Sequence, residues 1–204
     1  MQGPSHLMIS CYFGEAIGLD SPRHRRIVAW SGRAPDIDVL AYVAAIVYYR
    51  GDQGLAFENV WQVIHHRYTH GLAFILLTGA VAYAMTAREG SAKAFRIALL
   101  AMLASAIHDF CDPVAGGPTW PIYPIWPISG VAWSASWSWT IGEWPNILIL
   151  FACLGGTLLY AKLAERSPLE CFGDRANGRL VRTVRHEHVP RGPNSTLMRW
   201  LIWG

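Results

Sequence analysis

The sequence predicts an all-α fold, a multi-pass membrane bundle of short helices interrupted by an irregular segment rich in Trp and Pro. Apolar residues make up 52% of the 204 residues and charged residues only 15%, against about 25% charged in typical soluble domains. Apolar stretches lie at 37–49, 72–85, 95–107 and 147–163. Most are shorter than the roughly 20 residues that span a bilayer, so we expect short, tilted or partly embedded helices.

Two helix starts are predicted in the first part of the chain. Ser5 is a suitable N-cap for a short helix over residues 6–18. Pro35 suits the first position of a later helix. Asp36 and Asp38 then fall in its first turn, where the helix dipole favours carboxylates. Because that dipole alone explains both aspartates, they become candidate metal ligands only in combination with other residues.

The stretches at 72–85 and 95–107 predict a helical hairpin, because only a short turn, residues 86–94, separates them. Candidate ligand pairs with i, i+4 spacing flank this hairpin, and such a spacing places both members on one helix face. Antiparallel packing would bring the two pairs to the same end. These pairs are His66 with His70, before the first helix, and His108 with Asp112, at the end of the second.

His6, Asp36 and Asp38 also lie at helix starts, so helices entering from that end would add them to the same site. The combined set exceeds the four ligands of one tetrahedral zinc ion and would suit two ions. The missing glutamate between His66 and His70 argues against a zincin-type protease.

A different interpretation is open for the same residues. Any one of these histidines could be a hydrogen-bonded core residue, and the whole set could be a polar cluster that locks helices together. Ionisable groups at membrane depth are costly without partners or a function, which favours a metal site for the combined set. The remaining histidines lack matching positions and are predicted to lie at the surface or around the site; they are His24, His65, His186 and His188.

Residues 113–146 cannot form a continuous helix, because Pro recurs among six of the ten Trp residues. One interpretation is an aromatic belt at the membrane interface, where Trp is enriched. The other is a lid or platform over the metal site, because the segment directly follows Asp112.

Cysteine and charge patterns exclude some classes. The four cysteines lack paired spacing, so no disulfide framework or zinc ribbon is expected, and a net charge of +3 gives no reason to expect nucleic acid. The segments 19–26 and 86–96 and the chain from Lys162 onward hold three, three and eight of the 17 Lys and Arg residues. By the positive-inside rule these segments are cytoplasmic, which predicts the ligand ends on the outer side.

The motifs resemble those of a known family, the membrane-bound metal-dependent hydrolases also called LexA-binding, inner-membrane-associated hydrolases. The resemblance covers roughly residues 5–128. One departure is Tyr68, where the family commonly has glycine, so the helix start or pocket is expected to differ in shape. The matching motifs are Ser5-His6, Pro35-Asp36-Ile37-Asp38, His66-Arg67-Tyr68-Thr69-His70, His108-Asp109-Phe110-Cys111-Asp112, and the Gly116-Gly117 and Trp120-Pro121-Ile122-Tyr123-Pro124 loop.

The resemblance implies a multi-pass protein of the bacterial inner membrane with a metal-dependent hydrolase site. Arg67 and Thr69 would support the ligands, with Arg67 placed to bind an anionic group such as phosphate. The metal ligands carried over by position are His6, Asp36, Asp38, His66, His70, His108 and Asp112.

We therefore expect hydrolysis by a water molecule activated by one or two divalent ions, with zinc expected first and manganese or iron as alternatives. Asp36, Asp38 or Asp112 would be the general base if not fully engaged as a ligand. A phosphoester or a lipid-like molecule is the expected substrate, and membrane lipid the expected surroundings. The alternative is a non-catalytic protein that binds or transports metal, locks helices or scaffolds a partner.

The predicted domain organisation follows from these assignments. Residues 1–164 would form the membrane-embedded helical metal-site domain, and residues 165–204 a basic polar C-terminal tail. The tail is predicted to be cytoplasmic and is the expected contact for a protein partner.

Overall fold

The computed structural model describes residues 1–186 as α-helices joined by short 3-10 and π-helical turns, with no β-strand in that range. The predicted all-α class is therefore confirmed. In chain order the helices are α1 (Gly3–Ala16), α2 (Pro22–Ser31), α3 (Val39–Tyr48), α4 (Gln53–Ala56), α5 (Leu72–Thr86), α6 (Ser91–Ala115), α7 (Trp144–Ala164) and α8 (Asp174–Val184).

Short turns of other helix types connect several of these elements. A 3-10 turn, Ala34–Asp38, leads into α3, and another, Ala87–Glu89, separates α5 from α6. Two π-helical segments, Phe57–Trp61 and Ile64–Thr69, lie between α4 and α5. The second of these carries part of the predicted histidine motif.

α5 and α6 pack against each other as the antiparallel hairpin that the short turn predicts. Their approach is close, because a Cβ on Gly79 of α5 would lie 2.6 Å from the Met102 sulfur on α6. Small residues allow helices to pack this tightly in a membrane. α2 lies against both helices, and the resulting core contains Leu19, Ile27, Val28, Ala82, Ile97, Ala101 and Ala104.

Within residues 1–186, three helical stretches are long and apolar enough to cross a membrane: Leu72–Glu89 with 18 residues, Ser91–Ala115 with 25 and Trp144–Ala164 with 21. Large apolar side chains such as Leu103 and Phe151 are exposed on them, which suits contact with lipid. α3 has ten residues and is about 15 Å long, roughly half the hydrocarbon thickness of a bilayer. The expectation of short helices therefore holds for α3 but is wrong for these three, which extend beyond the apolar stretches that predicted them.

Residues 116–143 form an irregular segment that folds back on the start of α5. The Leu72 amide donates to the Pro124 carbonyl at 2.9 Å, and the Tyr123 amide donates to the His66 carbonyl at 3.0 Å. Ile122 and Trp133 exchange backbone hydrogen bonds within the segment. The segment therefore lies at the hairpin end where the candidate ligands are found.

The chain forms two compact units, Met1–Gly156 and Thr157–Gly204. In the second, Ser167 Oγ donates to Asn177 Oδ1 at 2.9 Å, which ties the start of the 3-10 turn Pro168–Phe172 to the basic helix α8. Residues 187–204, most of the outer half of the predicted tail, lie outside the described residues. The predicted division at residue 164 stays a prediction.

Candidate metal centre

The carboxylate of Asp112 is the centre of the candidate site. Four imidazoles direct Nε2 toward it from different parts of the chain. His6 Nε2 lies 2.9 Å from Oδ1, while three further Nε2 atoms lie near Oδ2. These belong to His70 at 3.1 Å, His65 at 3.5 Å and His108 at 3.6 Å.

α6 supplies His108 and Asp112 one turn apart, as their i, i+4 spacing predicts. α1 supplies His6, whose ring stacks on that of His108 with centroids 3.7 Å apart. His70 comes from the segment before α5, and its Nε2 lies 3.0 Å from His108 Nε2. The antiparallel hairpin thus brings both predicted pairs to one end of the bundle.

His66 and His70 do not share a helix face. Residues Ile64–Thr69 form a π-helix, and His70 follows it with φ −114° and ψ 66°. A π-helix makes i to i+5 hydrogen bonds, so residues five apart come together in this wider turn. The rings of His65 and His70 are accordingly 3.8 Å apart, and His65 enters the site.

His66 instead faces the irregular segment. Its Nδ1 donates to the Pro121 carbonyl, and its ring lies 4.6 Å from that of Trp120. Its Nε2 is buried without a hydrogen-bond partner among the described residues. A buried nitrogen of this kind fits a group that is completed by a ligand.

Three of the imidazoles near Asp112 are oriented through Nδ1. His108 Nδ1 lies 2.8 Å from the Gly32 carbonyl oxygen, and His65 Nδ1 lies 2.6 Å from Asp38 Oδ2. Since these oxygens only accept, each Nδ1 carries a hydrogen. Held in this way, an imidazole presents Nε2 toward the centre, which is the usual arrangement of a metal-ligating histidine.

Thr69 orients His70 in a similar way. Its Oγ1 lies 3.0 Å from both Asp38 Oδ2 and His70 Nδ1. Because the carboxylate can only accept, the hydroxyl donates to Asp38 and accepts from His70. Thr69 therefore has the supporting position that the family resemblance implies.

In the described part of the chain, two groups of side chains bring ligand atoms within 4.8 Å of one another and could each hold an ion. We call them the first and second metal groups. They share His70, while His6 and His66 belong to neither. The first metal group is Asp36, His70, His108 and Asp112, and the second is Asp38, His65 and His70.

Electrostatics keeps two of the buried imidazoles neutral. Burial lowers the pKa of His66 and of His70 to about 4 in each case. Burial alone would also lower the pKa of His65, but hydrogen bonds to Asp112 and Asp38 outweigh it and raise the value to about 9. Burial opposes ionisation of Asp38, yet its hydrogen bond to His65 holds its pKa below the ordinary value.

A cavity of about 350 Å³ adjoins the site. Arg33, Asp36, Asp38 and His65 line its polar side. Arg33 forms an ion pair with Asp36. The apolar side of the cavity includes Phe57, Trp61, Trp120 and Ile141.

The Trp/Pro segment combines features of both predicted roles. Trp120 lines the cavity and contacts the rings of His65 and His66, as a platform would. Trp137 is 67% exposed, as expected of a belt residue.

Arg67, in contrast, is exposed and lies outside the residues that line this cavity. Its guanidinium stacks over the Tyr123 ring at 4.7 Å. The arginine that the family motif suggests as the anion-binding residue therefore does not line this cavity.

Sequence reasoning missed His65 and Arg33. His65 has no pair at helical spacing, and only the π-turn, which no residue pattern indicates, turns it inward. Arg33 precedes the Pro35-Asp36 motif and lacks any distinguishing spacing. His24, predicted to lie at the surface or around the site, is buried and pairs with Glu89 at 2.8 Å.

The donor set fits a divalent ion. It offers imidazole nitrogen and carboxylate oxygen, the ligand types preferred by zinc and related ions, with the Nε2 atoms already directed at one carboxylate. Fold and site together define a helical membrane protein with a buried histidine and aspartate cluster at one end of a membrane-spanning hairpin.

Comparison with known families agrees with this class. The chain belongs to the YdjM inner membrane protein family, whose model matches residues 1–173, and the family resemblance seen in the motifs is thereby confirmed. No curated protein and no solved structure matches the chain.

Proposed function

We propose that the protein is a metal-dependent hydrolase of the inner membrane that acts on a phosphoester or lipid-like substrate. The observation that carries the proposal is the convergence of four Nε2 atoms on Asp112 beside a cavity large enough for part of a substrate. A polar cluster that served only to join helices would not need such a cavity.

The first metal group, Asp36, His70, His108 and Asp112, would hold the ion. A divalent ion bound there would lower the pKa of a water molecule and polarise the bond to be cleaved. Asp38 lines the cavity and lies in the second metal group. Asp38 would then accept a proton from the water as general base. The Thr69 hydroxyl, which contacts both Asp38 and His70, would hold these two side chains in position.

A second ion in the second metal group is the two-ion form of the same proposal. Asp38, His65 and His70 would hold that ion. Zinc is the expected metal, and manganese or iron would use the same ligand types.

Metal content measured by mass spectrometry on detergent-purified protein tests the proposal. We expect one or two equivalents in the wild type and loss of metal in His70→Ala and Asp112→Ala. His24→Ala is the matched control, because His24 is also buried but pairs with Glu89 away from the site. The loaded protein would then be screened against phosphoester and lipid substrates.

The second candidate is a non-catalytic cluster that locks helices or carries metal. It is favoured by the direct contacts that join α1, α6 and the segment before α5 through Asp112. Absence of metal from the wild type and both variants, with equal stability, would support this candidate and refute the hydrolase. Transport is less favoured, because the ionisable groups gather at helix ends instead of following a path through the membrane.

We also propose that the site lies on the outer side of the membrane. The basic first turn of α2 lies beside the α5–α6 turn, since Arg23 pairs with Glu89 and donates to the Met85 carbonyl. Both turns are thus at the hairpin end opposite the site, and basic ends face the cytoplasm.

Cysteine labelling tests this orientation. In a background without the four native cysteines, Gly130→Cys would mark the site end and Ala92→Cys the opposite end. A membrane-impermeant reagent applied to the outside should label only Gly130→Cys. Labelling of Gly130→Cys only from the cytoplasm would reverse the orientation.

A further inference from the structure

Arg33 is the one Lys or Arg among the described residues that line the cavity beside the metal groups. It lies in the connection between α2 and the 3-10 turn Ala34–Asp38. A side chain at Gly3 would crowd it, since a Cβ there would lie 2.7 Å from Arg33 Nη2. The guanidinium therefore packs against the start of α1.

Asp36 links Arg33 to the metal groups. Its Oδ2 pairs with Arg33, while its Oδ1 lies 3.7 Å from His108 Nε2. One carboxylate thus has a guanidinium on one side and a candidate metal ligand on the other. A substrate group bound beside the first metal group would lie within reach of the guanidinium.

The chemistry of the guanidinium selects the kind of group that can bind. Its planar fork of N–H donors matches two oxygens of a phosphoryl group, and Arg pairs of this kind are short, charge-assisted and often bidentate. Arg33 pairs with one carboxylate oxygen of Asp36 through Nη1, and a guanidinium has further N–H donors beyond that pair.

The opposite wall is aromatic. Phe57 and Trp61 have ring centroids 5.2 Å apart, and Trp61 and Trp120 have centroids 5.7 Å apart. At about 350 Å³ the cavity is at the small end of ligand sites. It suits a phosphoryl group with an adjoining apolar substituent.

We propose that Arg33 is the anion-binding residue of the site and that its ligand is a phosphoryl group. The proposal deepens the proposed function and rests on it for the bound metal. It replaces Arg67, the anion-binding residue implied by the family motif, because Arg67 is exposed over Tyr123 and does not line the cavity.

Calorimetric titration of zinc-loaded, detergent-purified protein tests this. One arm uses inorganic phosphate and the other a short-chain phosphatidic acid in the same detergent. Arg33→Gln should weaken phosphate binding by about tenfold to a hundredfold, the usual effect of losing a hydrogen bond to a charged group. Metal content should remain at the wild-type level.

Three further variants make the test specific. Arg33→Lys keeps the positive charge beside Asp36, so this variant should fold even if Arg33→Gln does not. Because lysine lacks the planar fork of N–H donors, Arg33→Lys should bind phosphate several-fold more weakly than the wild type. Arg23→Gln is the matched control, because Arg23 is an exposed arginine at the other end of the hairpin. Arg67→Gln measures the competing assignment.

Phosphate affinity unchanged in both Arg33 variants would overturn the proposal, as would a loss confined to Arg67→Gln or a wild type that binds neither ligand. Arg33-dependent binding with equal affinity in both arms would identify a free phosphoryl compound as the ligand, and tighter binding of the lipid would identify a membrane lipid.

The phosphoryl-binding proposal and the hydrolase proposal can fail separately. Arg33-dependent binding without cleavage would refute only hydrolysis, whereas phosphoester cleavage with unchanged phosphate affinity in the Arg33 variants would refute only this proposal.

Discussion

Thr69→Val is predicted to weaken metal binding without changing any ligand. The hydroxyl of Thr69 lies 3.0 Å from both Asp38 Oδ2 and His70 Nδ1. Valine has nearly the same shape, so the substitution removes these two interactions and little else. His70 would lose the acceptor that keeps its hydrogen on Nδ1 and its Nε2 directed at Asp112.

Loss of a hydrogen-bond partner behind a ligating histidine commonly lowers metal affinity about 10- to 100-fold, which corresponds to roughly 1.4–2.8 kcal/mol. Competition with a chromogenic zinc chelator in detergent measures this change directly. Thr69→Ser is the matched control, because it retains the hydroxyl and should bind zinc within about threefold of the wild type. Wild-type affinity in Thr69→Val, or equal losses in both variants, would show that the hydroxyl does not orient His70.

Three other predictions concern packing and metal removal. Gly32→Ala should destabilise the protein by about 1–3 kcal/mol, because the new Cβ would lie 2.7 Å from Ser10 Cβ. Thermal unfolding measures this change. Gly130→Ala is the control and should leave the stability unchanged, because a Cβ at Gly130 meets open space. Asn146→Ala should cost roughly 1–3 kcal/mol in the same assay, since the buried amide donates to the Ala115 carbonyl at 2.7 Å, and an unchanged melting temperature would contradict that role. Removal of metal by a chelator should leave the helical circular dichroism signal unchanged, because the imidazoles are held by protein groups; a large loss of helix would contradict this.

The sequence was sufficient to predict the hairpin and the position of the candidate ligands at one of its ends. Spacing of four residues on a regular helix correctly related His108 to Asp112, because α6 is unbroken there. The same rule failed for His66 and His70, because the chain widens into a π-turn just before α5. Helical periodicity therefore gives reliable partners only where the helix is regular.

The contacts that loops make in the site were beyond sequence reasoning for a different reason. Arg33 and Trp120 reach the cavity through loops, and the path of a loop depends on what it packs against. The Pro121 carbonyl that holds His66, for example, is 55 residues away along the chain. No local pattern around either residue indicates that pairing.

Two histidines of the site are held by main-chain oxygens, His108 by Gly32 and His66 by Pro121. A side-chain acceptor disappears when its residue is replaced, but every residue type has a carbonyl oxygen. Another residue could therefore replace Pro121 during evolution without changing the orientation of His66, provided that the backbone keeps its path. Gly32 has less freedom, since a larger side chain there would meet α1. Related sequences should therefore vary more at Pro121 than at Gly32, although both residues orient an imidazole in the same way.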